Sequence, residues 1–297
     1  MDDVDIVRAY HQRSKHQLQR YAAGPESLDW DAQPNPWRRY AGATVEPLPL
    51  AADDCAATWP DLFQPGASEP WAMDRRGLGA LLQISLGLSA WKTQGPDRWA
   101  LRCNPSSGNL HPTEAYALAR GVAGLADGLY HYAPRVHALE RRASLTPAAG
   151  TAQDAPGLWI DLTDIHWREA WKYGERAFRY CQLDLGHALG ALRYAAATLG
   201  WRLAPQTGLD HATLARLLGL DRDADFALPP DLTAWLCAQG FADPHQPAAF
   251  GNTPLMHAAW KGEHACLRLL RAASRAAGPR RQASGQASRL ASDRPLA

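Results

Sequence analysis

The run Arg102-Cys103-Asn104-Pro105-Ser106-Ser107-Gly108-Asn109-Leu110-His111-Pro112-Thr113-Glu114-Ala115-Tyr116 decides how the rest of the chain is read. Between Arg102 and Gly108 it sets a fixed cation, two hydroxyls and a glycine, directly ahead of a strand-like stretch from Ala115 to Ala119. A guanidinium can pair with an anion in a forked geometry. The Ser106 and Ser107 hydroxyls can hydrogen-bond phosphate or ring carbonyl oxygens. Gly108 lets the backbone come close to a flat ligand. The physical reading is a loop that holds an anionic, planar cofactor.

Working outward, residues 73 to 91 read as a helix, with Leu78, Leu81, Leu82, Ser85, Leu88 and Ser89 at helical spacing. Residues 3 to 22 read as another, with Val4, Val7, Tyr10, Leu18 and Tyr21 partly on one face. Between them Pro25, Pro34, Pro36, Pro47 and Pro49 make 24 to 60 an extended, irregular arm. Beyond the loop, 129–132 and 136–140 flank Ala133-Pro134-Arg135 as a hairpin that sets His131 opposite His137. Leu158 to Leu162 reads as a buried strand. The clearest helix covers 175 to 199, where Phe178, Cys181, Leu185, Leu189, Leu192, Ala196 and Leu199 step by three and four before Gly200. A short strand starts at Trp201, and a helix over 210 to 219 ends at Gly219.

Composition narrows the function classes. The 297 residues are 46% hydrophobic and 21% charged, which predicts a packed globular core. A formal net charge of +1 gives no basic field for a nucleic-acid backbone. No apolar run reaches transmembrane length, so no membrane partner is expected. The five cysteines (Cys55, Cys103, Cys181, Cys237 and Cys266) form no C-x-x-C pair, which argues for reduced thiols in a cytoplasmic protein. The acidic opening Met-Asp-Asp-Val-Asp is unlike a signal peptide. The eleven histidines lack ligand spacing to carboxylate or cysteine, so no metal is expected.

A second constellation, Trp171-Lys172-Tyr173-Gly174-Glu175-Arg176-Ala177-Phe178-Arg179-Tyr180, stands at the mouth of the long helix. Burial or neighbouring cations can make a lysine amine a usable base, and a tyrosine can relay a proton. The ordinary alternative is a solvated charge beside a surface aromatic. A third stretch, Gly251 to Ala259 with Gly262, His264, Leu269 and Leu270, reads either as one ankyrin-like repeat or as a plain helical linker. Residues 278–297 are small, polar and free of aromatics, which predicts a disordered tail.

The pattern R-x-x-P-S-x-G-x-x-x-P-x-E-x-Y at 102–116 resembles the flavin-binding loop of the nitroreductase superfamily, in its SagB/ThcOx-type dehydrogenase branch. K-Y-G-E-R-x-x-R-Y at 172–180 and the arm segment Leu28 to Trp37 resemble the same branch. The resemblance implies an α+β nitroreductase-like fold with a central antiparallel sheet and a long core helix, over residues 1–240. A helical appendage or single ankyrin-like repeat (241–277) and the tail (278–297) follow. It implies FMN as cofactor, bound by Arg102, Pro105, Ser106, Ser107 and Gly108, with Lys172 and Tyr173 handling the proton. The implied activity is azoline-to-azole oxidation, or nitro or quinone reduction, on a small molecule or modified peptide. The implied partner is a second copy in a homodimer, or a second domain of the same type. One element departs from the family: no counterpart of its C-terminal basic phosphate contact follows Leu220. A catalytically silent copy acting as an interaction module is the alternative reading.

Overall fold

The computed structural model describes residues 3–64, 66–145, 156–206 and 208–221, with the backbone of 269–274. The expectations for 222–268 and 275–297, including most of the ankyrin-like stretch and the tail, lie outside the described residues.

A mixed set of helices packs on one antiparallel sheet. The strands are β1 (Val45–Pro47), β4 (Thr113–Arg120), β5 (Gly128–Ala133), β6 (Ala138–Ser144), β7 (Gly157–Asp164), β8 (Trp201–Gln206) and β9 (Leu269–Ser274). They lie in the order β1-β6-β5-β4-β7-β9-β8, every pair antiparallel. Residues 269–274 were expected in a helical appendage. They instead form the strand between β7 and β8, which satisfies backbone groups on both neighbours.

The two faces of the sheet differ in chemistry because side chains alternate. One face carries Ala115, Ala117, Ala119, Tyr130, Leu139, Leu158, Ile160 and Leu162 into the main core. Helices α2 (Arg75–Leu86) and α4 (Ala177–Thr198) cover it. The 22 residues of α4 span ~33 Å, the length of the domain. Its buried stripe runs through Cys181, Leu185, Ala188, Leu192, Ala195 and Ala196, with Leu199 at its C-cap. Each of the fully buried leucines contributes ~1.5–3 kcal/mol. The opposite face sets Tyr116 and Leu129 against Tyr40 of the arm and Leu214 and Leu218 of α5 (His211–Leu218). Asp210 caps α5 by accepting from Thr213 N at 2.7 Å, and Gly219 ends it at φ 64°.

Three boundaries differ from the periodicity reading. The first helix, α1 (Asp3–Ser14), stops eight residues early, and Val4, Val7, Leu18 and Tyr21 are exposed. Its ties are polar: Tyr10 Oη donates to Glu175 O (3.0 Å), and Arg179 holds the His11 carbonyl (3.0 Å) and Ser14 Oγ. Helix α2 ends at Gly87, so Leu88 and Ser89 belong to β2 (Leu88–Gln94), which pairs with β3 (Asp97–Arg102) around a Gly95 turn. A side chain at 87 would stand 2.5 Å from Gln83 O, so the chain turns out of the helix where only glycine fits. The β5–β6 turn is Pro134 to His137, closed by Ala133 opposite Ala138. His131 therefore faces Glu140, not His137.

Candidate functional site

Strand β3 delivers the chain at Arg102 and β4 takes it up at Thr113. Between them lies a single turn of 3-10 helix, Ser107–Asn109, with left-handed backbone at Gly108 (φ 61°), Asn109 (φ 60°) and His111 (φ 51°). Two non-glycine residues in that region are costly, and persist only where the surroundings fix them. Here His111 N donates to Ser106 Oγ (2.8 Å), and His111 O accepts from Arg168 Nη1 (2.7 Å). Asn109 Nδ2 donates to Ala100 O (3.0 Å). Ser107 donates its N–H (3.0 Å) and hydroxyl (2.9 Å) to Asp184 on α4.

The two constellations, some 65 residues apart in sequence, meet at this turn. A methyl group on Gly108 would stand 2.6 Å from Tyr173 Oη and 3.1 Å from Lys172 Nζ. Lys172 and Tyr173 end a separate helix, α3 (His166–Tyr173), and Gly174 breaks it at φ 55° before α4 begins. They sit at the C-terminal end of α3, separated from the long helix by the turn Gly174–Arg176, and not in an irregular segment directly before its N-terminus. The pole nearest them is the negative end of α3. Tyr173 stacks edge-on against Tyr180 (4.5 Å), and the Arg176 guanidinium lies 5.4 Å from its ring centroid. Burial first, then the Glu169 carboxyl, push the Tyr173 phenol up.

A cleft of about 750 Å³ opens over the turn. Gly108, Asn109, His111 and Lys172 line one side of it. Trp30, Pro36 and Trp37 of the arm, Trp91 and Trp99 of the β2–β3 hairpin, and Trp171 supply flat apolar walls. Three donors fixed in the domain hold the arm by its backbone. Trp171 Nε1 donates to Asp29 O (2.8 Å), Arg168 Nε to Asn35 O (3.0 Å) and Arg102 Nη2 to Pro36 O (2.8 Å).

Arg102 is thus buried behind the cleft wall, its Nη1 also donating to Thr113 O (3.3 Å) and its guanidinium 5.2 Å from the Trp37 ring centroid. Burial lowers it to about 10, against the opposing pull of Glu114. Arg102, Ser106, Ser107 and Tyr173 do not themselves line the cleft, and neither does Pro105, which is exposed.

Sequence reasoning missed two buried networks. On one face of the sheet, His131 bridges two carboxylates, with Nε2 2.8 Å from Glu114 Oε2 and Nδ1 3.0 Å from Glu140 Oε2. Arg168 pairs with the other Glu114 oxygen at 2.5 Å, and Arg39 pairs with Glu140. Tyr40 N also donates to Glu140 Oε2 at 3.1 Å. Burial alone would raise Glu114; Arg168, His131 and Arg102 overcome it and hold the carboxyl far below the usual range. The signal was in the register, since His131 is the cross-strand partner of Glu140 and of Tyr116. The second network lies behind Lys172. Asp164 of β7 accepts from Thr113 Oγ1 at 2.7 Å, Asp184 accepts from Ser107, and Glu169 of α3 is fully buried within charge range of both. Burial raises Asp164 to about 8, with Asp184 adding to it. Burial, then Asp184 and Asp164, raise Glu169 to about 9, against the pull of Lys172. His111 is a further residue passed over. Its ring lies against the Ala100 carbonyl, and burial and Arg102 push it down to about 3, a neutral imidazole at the cleft.

Among the described residues, no helix is long and apolar enough to cross a membrane. Residues 98–228 match the nitroreductase family model. A candidate nitroreductase of Methanocaldococcus jannaschii (MJ1384) is 29% identical over 112 residues, 35% of this chain and 57% of that protein. The trifolitoxin-processing protein TfxB of Rhizobium leguminosarum bv. trifolii is 26% identical over 159 residues, 48% of this chain and 43% of its own length. A crystal structure of a candidate nitroreductase from Anabaena variabilis superposes with a TM-score of 0.55 at 28% identity, over 73% of this chain and 43% of that one. The chain therefore spans about half the length of the relatives it matches. The fold is nitroreductase-like, and the match to the nitroreductase family model falls on residues 98–228.

Proposed function

We propose that this domain is an FMN-dependent oxidoreductase of the SagB/ThcOx type, in which Lys172 and Tyr173 exchange the proton that accompanies hydride transfer. The observation that carries the reading is Gly108, a left-handed glycine lining a tryptophan-walled cleft, whose missing side chain lets Tyr173 Oη and Lys172 Nζ pack directly against its backbone. A planar, partly apolar group fits such walls. When bound, FMN supplies hydride acceptance or donation.

The chain's own residues supply placement and proton traffic. Gly108 gives close backbone approach. The Ser106 hydroxyl accepts from His111 N and keeps its own proton to donate. Ser107 fixes the turn on α4 through Asp184, and Pro105 leads the chain into it. Arg102 sets a positive charge behind the wall while holding the arm at Pro36. Lys172 lines the cleft and Tyr173 stands beside it, so both can reach a group lying over Gly108.

For substrate, the resemblance to azoline oxidases and a relative named for trifolitoxin processing favour a modified peptide. Nitro compounds and quinones are the simpler alternatives on the same fold. The reading includes a homodimer, or docking to a second domain of this type, in the cytoplasm. Leu183 on α4 and the Trp59–Phe63–Tyr194 cluster are exposed apolar surface suited to such a contact. The test is Lys172→Met in the flavin-loaded protein. It should keep FMN and lose ~10²–10⁴-fold in rate on a substrate that gives up a proton with its hydride. Wild-type turnover by that variant would remove Lys172 from the chemistry.

A further inference from the structure

We infer that Glu169 is the proton-storing and positioning residue behind Lys172 and Tyr173, a buried carboxyl that passes a proton to this pair and recovers it. The inference rests on the oxidoreductase reading for its consequence, but the stored proton is a property of the chain itself. On α3, Glu169 stands three residues before Lys172 and four before Tyr173, so the three side chains share one helix face. Both residues feel its charge. The Glu169 side chain is 0% exposed, and among the described residues neither of its oxygens has a hydrogen-bond partner. A carboxyl retained only for structure would be paired, since leaving it unmatched is costly.

The groups that face Glu169 explain why it holds a proton. From β7 comes Asp164 and from α4 come Asp184 and the buried Cys181, while its own helix contributes Lys172 and Tyr173. Asp184 is committed to Ser107 and Asp164 to Thr113. Several buried carboxyls in mutual range cannot all ionise, so protons stay in the cluster. Burial and those neighbours lift Glu169 to about 9, which keeps it a carboxylic acid at neutral pH. These groups do not converge as a metal-binding set among the described residues.

The proton balance is simple. For a substrate that accepts a hydride, which FMN would supply when bound, an O–H of Tyr173 or an N–H of Lys172 would break and the proton would join the substrate. The Glu169 O–H then breaks to restore that group, leaving a carboxylate that is reprotonated from solvent through the same pair. In the oxidative direction the Glu169 O–H would first break, its proton leaving to solvent through the pair, and the substrate's proton would then pass to Lys172 or Tyr173 and on to the Glu169 carboxylate.

Glu169→Gln tests this, because it keeps shape and neutrality and removes only the exchangeable proton. Expected are unchanged FMN content, a rate lowered by ~10²-fold, the lower end of general acid–base contributions, and loss of the high-pH limb of the rate profile. Glu169→Asp should restore part of that limb, and carries the test if the glutamine variant does not fold. A wild-type rate and pH profile in Glu169→Gln would overturn the inference. Infrared spectroscopy of flavin-free protein at neutral pH separates this from the oxidoreductase reading. A protonated-carboxyl signal that loses one component in Glu169→Gln, with that of Asp164 remaining, supports the stored proton even if the protein never turns over. An identical band in both proteins overturns it even in an active flavoenzyme.

Discussion

Replacing Gly108 with alanine should damage stability and flavin binding together, and by a mechanism that can be dissected. The residue has φ 61°, where an L side chain costs ~1–2 kcal/mol. The new methyl would stand 2.6 Å from Tyr173 Oη, so the tyrosine must leave its rotamer, adding ~0.5–1.5 kcal/mol. Lys172 Nζ at 3.1 Å is the end of a flexible chain and can move aside. The sum is ~1.5–3.5 kcal/mol, or a fall in melting temperature of ~3–14 °C for a domain of this size. The same substitution in a Tyr173→Phe background meets no hydroxyl and should cost only the backbone part. Thermal or urea unfolding of the four proteins gives the coupling energy, expected at ~0.5–1.5 kcal/mol. Equal costs in the two backgrounds would refute the packing of Gly108 on Tyr173, and no cost in either would refute the left-handed turn.

Glu114→Gln should cost ~3–5 kcal/mol by leaving Arg168 and His131 without their shared carboxylate, as read by urea unfolding at neutral pH. Because Glu114 and Glu140 are held below their unfolded values, the stability they add is present above the unfolded carboxyl range and is lost as pH falls through the folded values. The variant's stability should therefore depend less on pH in acid. Arg102→Ala should release the arm at Pro36 and raise protease cleavage within residues 28–40; an arm as resistant as wild type would contradict its anchoring role. Light scattering at micromolar concentration should show a dimer, and a flavin-bound monomer would count against the second-copy reading.

What the sequence disclosed and what it hid follow from the physics of each element. Helix α4 was legible because one apolar stripe packs against one sheet face, and α5 because Asp210 and Gly219 mark its ends. The α2–β2 boundary was not, since Leu88 and Ser89 continue the helical period by coincidence beyond a glycine that ends the helix. Helix α3 stayed hidden because its buried face is polar, with His166, Arg168 and Glu169 where periodicity looks for leucine. That concealment misplaced Lys172 and Tyr173 at the start of a helix instead of the end of one. The loop at 102–108 was read as ligand-binding from residue types alone, and types do not reveal partners. Ser107 is committed to Asp184, and Arg102 to the arm, through contacts 77 and 66 residues distant in sequence. The Glu114–His131–Glu140 bridge needs the strand register, which the hairpin reading had shifted at His137.

FMN in the cleft over Gly108 is the premise on which the proposed chemistry stands. The most direct measurement is the absorbance spectrum of the purified protein, followed by titration of flavin-free protein with FMN. Expected are a yellow protein that releases FMN on denaturation, and a flavin-free form that rebinds it with a raised melting temperature. A colourless protein to which FMN neither binds nor lends stability would contradict it, and would leave the fold as an interaction module.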